Sequence, residues 1–141
     1  MNEADKLARQ VADALLEREG TGTAWGIAID DAREGYAVVR MALRDDMLNG
    51  HRSAHGGMIF ALADTAFAYA CNSRNENTVA QHASISFLAP AQAGDVLIAE
   101  AREVSRSGRS GVYLVSVKSG AGAVIAEFTG LSRTIGGAVI N

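Results

Sequence analysis

One stretch governs what this chain can become. From Gly57 to Ser73 the sequence is alanine-rich and free of proline, and Asp64 is its only charged residue. That composition predicts a helix over about 57–73. Apolar side chains leave it on nearly every side, and a helix that is hydrophobic all round is covered all round. A membrane span is a poor alternative, because an unpaired carboxylate near the bilayer centre is costly. The rest of the chain must therefore wrap this segment.

The remaining sequence is suited to that task. Thr78–Leu88, Val96–Val104, Val112–Lys118 and Val124–Thr134 are rich in β-branched residues and read as strands, separated by glycine- and serine-containing connections. Two shorter alternating segments, Ala24–Ile29 and Tyr36–Leu43, read as a hairpin with its turn at Asp30–Gly35. Residues 44–55 read as irregular loop. Ahead of these, Leu7, Ala8, Val11, Ala12, Leu15 and Leu16 recur at helical spacing, which predicts an amphipathic helix over 3–18 with Gly20 as its stop. One core helix against six strands is an α+β plan whose sheet curls around the helix. The domain reading is an N-terminal helix over 1–20 and a single domain over 21–141.

Length and charge narrow the class. A chain of 141 residues makes one domain, exposing ~7,000 Å² when folded and burying about two thirds of its unfolded surface. A core of that size needs no disulfide or metal staple, and the lone cysteine, Cys71, excludes both an internal disulfide and a multi-cysteine metal site. Thirteen basic against sixteen acidic residues give −3, which argues against general nucleic-acid binding. The N-terminus is acidic from its third residue and carries no uninterrupted apolar run, so no signal peptide is read there. The expectation is a cytoplasmic protein without nucleic-acid or membrane partners, metal or cofactor.

Asp64 is the feature that carries chemistry. A carboxylate set among Phe60, Ala61, Leu62, Ala63, Phe67 and Ala68 loses hydration, so it finds donors or its pKa rises. It is either a buried aspartate satisfied by a neighbour such as Thr65 or by amides at a subunit contact, or a base or nucleophile. The second feature is His55-Gly56-Gly57 at the helix entrance. The first turn of a helix leaves N–H groups unpaired, and glycine lets a ligand approach them; such amides can hold a carbonyl oxygen that gains charge during attack. Asp64 lies eight residues beyond Gly56, ~12 Å along the axis. Groups serving one carbonyl must each sit within about 3 Å of its reacting atoms. If both serve, the second comes from another copy packed antiparallel, and a two-fold dimer builds two shared sites.

The run from Asn49 through His55-Gly56-Gly57 and Asp64 to Ala70-Cys71-Asn72-Ser73 resembles the signature of hot-dog-fold acyl-CoA thioesterases, most closely the PaaI (phenylacetic acid degradation) type. The similarity continues through Ile85–Pro90, Ala93-Gly94-Asp95, Gly111-Val112-Tyr113 and Arg133–Gly137, and covers roughly 24–137. It implies a hot-dog fold, in which a curved antiparallel sheet wraps the long central helix. It further implies a homodimer, usually paired again into a homotetramer, and hydrolysis of aryl-acyl-CoA thioesters of the phenylacetyl or hydroxyphenylacetyl type to acid and CoA. Asp64 matches the family carboxylate, as nucleophile or as activator of water. Gly56 matches the amide that polarises the carbonyl, with Asn49 near the same site and His55 as a further catalytic candidate that either shapes the turn or transfers protons. Gly57 and Thr65 join the substrate-binding candidates. Some relatives carry a serine on the following strand; Ala80 stands at that position here, with His82 and Ser84 nearby.

CoA is a phosphorylated nucleotide, so an acidic thioesterase needs local positive charge. Arg106 and Arg109, in a glycine- and serine-rich connection, are the candidates, with Arg102, Lys118 and Arg133 as possible neighbours. Phe60, Phe67, Tyr69, Met47, Leu48 and Phe87 are candidates for an acyl pocket. Two other functions fit the same pattern: an acyl-thioester dehydratase or hydratase using His55 with Asp64, and a non-catalytic acyl-CoA binding module.

Overall fold

The computed structural model describes residues 1–141. The apolar segment forms α3, Gly56–Cys71, and packs against all six strands of one antiparallel sheet. In chain order the other elements are α1 Glu3–Arg18, α2 Gly20–Trp25, β1 Ala28–Arg33 and β2 Tyr36–Ala42. After α3 come β3 Thr78–Phe87, β4 Val96–Ser107, β5 Ser110–Ser119 and β6 Val124–Thr134. The spatial order is β1-β2-β4-β5-β6-β3. This is the hot-dog arrangement, with α1 as an added helix packed on β1 and α3.

The sheet closes on the helix for local reasons. Ala37, Ala101, Val115 and Phe128 lie in register across β2, β4, β5 and β6 and are buried, with the small Ala37 and Ala101 letting β2 and β4 approach α3 and Phe128 filling the space under β6. Register shifts at Ile29/Asp31, Ala80/His82, Glu103/Ser105 and Val117/Lys118 each add a residue to one strand, and such bulges bend a sheet and increase its twist. Phe67 of α3 lies edge-on to Tyr113, with ring centroids 5.5 Å apart, and against Phe128 at 5.7 Å. Gly130 makes this possible: a Cβ there would stand 2.8–2.9 Å from three atoms of the Phe67 ring.

The N-terminal strand reading needs correction. Gly20–Trp25 is a short helix closed by Gly26 at φ +66°, and the strand begins only at Ala28. Asp30–Arg33 belong to β1, and the turn is Glu34-Gly35, with Gly35 at φ +70°. Acidic residues are tolerated there because β1 is an edge: Asp30 and Asp31 pair with Arg40 and Arg33 at the surface while Ala32 alone enters the core. The β4–β5 connection is likewise tighter than expected, a turn at Gly108-Arg109.

The helix is not covered all round within one chain. Gly57, Phe60, Ala61, Asp64 and Ala68 form a stripe that stays partly exposed, beside β3 at the sheet's other edge. That strand presents Val79, 46% exposed, and ends in Phe87 and Leu88, 53% and 62% exposed. One subunit therefore leaves a flank uncovered along a single helix face and strand.

Loops and tail are fastened by asparagines and one charged cluster. Asn72 bonds both the N–H and the C=O of Thr78, and the Asn75 side chain receives the N–H groups of Val139 and Ile140. Glu103 accepts two bonds from Arg74, at 2.7 and 3.2 Å, and one from the Tyr113 hydroxyl at 2.9 Å. These bonds tie the α3–β3 loop to β4 and β5.

Candidate active site

Two clefts flank opposite ends of β3. The first, about 450 Å³, contains Asp64 with Phe67, Cys71 and the start of β3 at Thr78–Ala80. The second, about 410 Å³, contains Gly56 with Asn49 and the end of β3 at Phe87-Leu88. Asp64 and Gly56 belong to one helix, yet they open into different clefts.

Asp64 is half-buried and accepts no hydrogen bond from within its own chain. Burial, followed by the charge of nearby Glu19, raises its pKa above the ordinary carboxylate value. Burial and the Asp64 charge together push the Cys71 thiol up to about 12. The Thr65 hydroxyl donates to the helix's own Ala61 carbonyl at 2.8 Å and does not reach across to Asp64. Ala80 lines the same cleft and brings no hydroxyl to it.

At the other end, the sequence Asn49–Gly57 shapes the helix entrance. Asn49 Oδ1 accepts the His51 N–H at 2.9 Å and the Ser53 N–H at 3.2 Å, which folds the loop over its own side chain and leaves the Nδ2 amide free beside the cleft. His55 caps α3: its Nδ1 accepts the Gly57 N–H at 2.9 Å, and its carbonyl accepts the Met58 and Ile59 N–H groups. This bond spends the Gly57 donor. The Gly56 N–H is left as the unpaired donor of the first turn. A Cβ at Gly56 would stand 3.1 Å from the Phe87 ring, so glycine keeps this entrance open.

The remaining candidates are distributed around these clefts. Register runs Ser110–Arg133–Val79 across β5, β6 and β3, so Arg106, Arg109 and Arg133 collect at the sheet end bordering the Asp64 cleft. Arg106 lies 3.9 Å from Glu103 and 4.0 Å from Glu76, whereas Arg109 and Arg133 have no acidic partner. Lys118 does not join them; it pairs with Val124 at the far end of β5. Arg102 sits mid-strand opposite Leu114. Of the apolar candidates, Phe67 and Tyr69 line the Asp64 cleft and Phe87 the Gly56 cleft, while Met47 is buried and Phe60 packs edge-on to Phe128. His82 and Ser84 are exposed on β3.

The structure adds residues that the sequence did not mark as site candidates. Leu15, Arg18 and Glu19, from the end of α1, and Ile135, from the tail, complete the Asp64 cleft. Tyr69, 1% exposed, donates its hydroxyl to Glu19 Oε1. No group of three or more His, Cys, Asp and Glu side chains gathers in a metal-binding arrangement, and no helix is long and apolar enough to cross a membrane.

Comparison with known proteins gives this geometry a context. The model of the thioesterase superfamily matches residues 51–126, which takes in all of α3, including Gly56 and Asp64, and most of the sheet. The acyl-coenzyme A thioesterase PaaI of Escherichia coli is 45% identical over 132 residues, 94% of each chain. The solved structure of that protein, from the phenylacetic acid degradation operon, superposes with a TM-score of 0.94 at 43% identity, covering 96% of this chain and 99% of that one. The phenylacetic acid degradation protein PaaI of Thermus thermophilus gives 0.80 at 38% identity, over 83% of this chain and 100% of the other. A Streptococcus mutans protein solved bound to acetyl CoA gives 0.76 at 26% identity, over 79% and 90%.

Proposed function

This chain belongs to the thioesterase superfamily, and from that premise we propose that it hydrolyses acyl-CoA thioesters at sites shared between two copies of itself. The observation that carries the reading is the separation of Asp64 and Gly56 into clefts at opposite ends of β3. Two copies joined antiparallel along this open edge, with a two-fold axis near the strand's middle, bring the Asp64 cleft of each against the Gly56 cleft of the other. The same contact covers the exposed stripe of α3 and the apolar side chains Val79 and Phe87.

In such a site the thioester carbonyl oxygen faces the Gly56 N–H of one subunit, with the Asn49 amide beside it. A helix N-terminus favours the negative charge that builds there during attack. Asp64 of the other subunit supplies the base or the nucleophile. As base, it takes a proton from water while the water oxygen bonds to the carbonyl carbon. The tetrahedral oxyanion then collapses, the C–S bond breaks, and the proton passes from Asp64 to the departing sulfur. A raised pKa makes this carboxylate a stronger proton acceptor than an exposed aspartate.

The acyl group is aryl-acetyl, as in breakdown of phenylacetic acid; support comes from the operon context of the E. coli relative and from the apolar, 450 Å³ cleft beside Asp64. Arg109 and Arg133, unpaired at the adjoining sheet end, suit the CoA phosphates. Val104 and Leu114, exposed on β4 and β5, offer a second surface on which dimers pair into a homotetramer. The test is thiol release across a panel of acyl-CoAs. The reading predicts turnover of phenylacetyl-type thioesters above straight-chain ones; binding without thiol release overturns it.

A further inference from the structure

The loop ahead of α3 is built around a single side-chain oxygen. Asn49 Oδ1 accepts the His51 N–H at 2.9 Å, the Ser53 N–H at 3.2 Å and, as a longer third bond, the Ser53 hydroxyl at 3.3 Å. The backbone closes on the same residue. The Asn49 N–H donates to the Ser53 carbonyl at 2.8 Å, the Arg52 N–H donates to the Asn49 carbonyl at 3.0 Å, and Leu48 bridges to Ala54 at the base. This closure holds Arg52, an exposed residue, in the left-handed region at φ +65°, where a non-glycine residue is uncommon. Strained backbone persists where the surrounding bonds over-determine it, and it clusters at functional sites.

The nitrogen of the Asn49 amide is free. Nδ2 makes no bond within the chain, and no buried side-chain nitrogen or oxygen lacks a partner, so Nδ2 is open to solvent beside the cleft that Asn49 and Ser53 line with Gly56. Turning the amide over would set its N–H donors against three other donors. The side chain therefore has one orientation before any substrate arrives.

Resting on the proposed hydrolysis, we infer that Ser53 and the left-handed turn at Arg52 are positioning elements for the reaction. They act through Asn49, presetting its Nδ2 as a second donor to the thioester oxygen beside the Gly56 N–H. A donor fixed in advance needs no reorganisation as charge builds on that oxygen, so loosening it is felt in kcat and not in KM. Arg52 contributes its backbone conformation and not its charge.

The experiment measures kcat and KM, on the acyl-CoA that the wild type turns over fastest, for Ser53→Ala, Ser53→Thr and Arg52→Val. Each is made in the wild type and in Asn49→Asp. Asn49→Asp keeps the oxygen around which the loop folds and removes the donor, at a cost of ~10²–10³ in kcat. In the wild-type background Ser53→Ala lowers kcat by ~3–10-fold at unchanged KM, and Ser53→Thr, which keeps the hydroxyl, restores most of the loss. Arg52→Val, whose β-branched side chain resists positive φ, lowers kcat by ~10-fold or more, again at unchanged KM. In the Asn49→Asp background neither Ser53→Ala nor Arg52→Val lowers kcat further. Equal losses in both backgrounds, as a purely structural role gives, overturn the inference, and so does wild-type kcat in Ser53→Ala. A raised KM at constant kcat in Arg52→Val also overturns it, because Arg52 would then be a contact of the CoA phosphates. If Arg52→Val does not fold, the Ser53 variants decide the question alone. Absence of thiol release from every acyl-CoA in the wild type instead overturns the underlying hydrolytic reading.

Discussion

The proposed shared site makes a numerical prediction that a site within one subunit cannot reproduce. Two inactive variants, Gly56→Pro and Asp64→Asn, should restore activity when their subunits are mixed. Gly56 is the first residue of α3, where proline is well tolerated because its missing N–H has no helical partner. The preceding residue, His55, has φ −63° and ψ 132°, the extended conformation that proline requires before it. Gly56→Pro therefore deletes the free amide without breaking a backbone bond, and loss of one oxyanion donor costs ~10²–10³ in kcat. Gly56→Ala is the control: it meets the same half-exposed Phe87 ring, 3.1 Å away, but keeps the N–H. Asp64→Asn removes the base, at a cost of ~10²–10⁴. Random pairing of equal amounts makes half the dimers mixed. Each mixed dimer holds one doubly altered site and one intact site, so thiol release should return to about a quarter of the wild-type rate. Purified subunits, co-refolded or co-expressed with different tags, provide the sample. A mixture no more active than the average of its two parents refutes the reasoning.

Two further outcomes follow from particular contacts. Because burial raises the Asp64 pKa, its contribution to stability is fully present below the ordinary carboxylate value and is lost as pH rises through the raised one. Asp64→Asn should therefore match wild type in denaturant melts near pH 4 and become the more stable protein by pH 8; a destabilised variant at pH 8 would mean that the carboxylate holds the fold together. Gly130→Ala places a methyl against the Phe67 ring and should cost ~1–3 kcal/mol by overpacking, lowering Tm by about 2–4 °C per kcal/mol. An unchanged melt would show that the ring has room to move.

The main architecture was legible because its signals are local. The α3 segment carries its own burial instruction in its alanines and aromatics, and β3–β6 announce themselves through β-branched residues and glycine turns. The N-terminal hairpin was less legible, because an edge strand can carry acids on its outer side, and Asp30–Arg33 then imitate a turn. Of the possible neighbours of Arg106, Lys118 lies at the opposite end of β5, a placement that only the strand register decides. In the candidate site, the spacing of Gly56 and Asp64 already set them ~12 Å apart along a helix, and the structure shows the separate clefts into which they open. Nothing in the periodicity of α1 flagged Glu19, since helical phase reports which face is apolar and is silent on where a helix ends. His55 illustrates the converse: chemically the most suggestive residue of its loop, it is engaged through Nδ1 in capping α3.

The open border of β3 has a consequence for the life of the chain before any substrate arrives. A newly synthesised subunit, alone at low abundance, displays a long unsatisfied backbone margin fringed with Val79 and Phe87. Margins of this kind adhere to whatever extended polypeptide they meet. If the proposed dimer forms along this margin, encounter with a sibling is the last step of maturation, second order in concentration, and it competes with adhesion to other chains. Scarce expression among abundant foreign polypeptides would then favour misassembly over that pairing, and making these chains close together would favour the dimer.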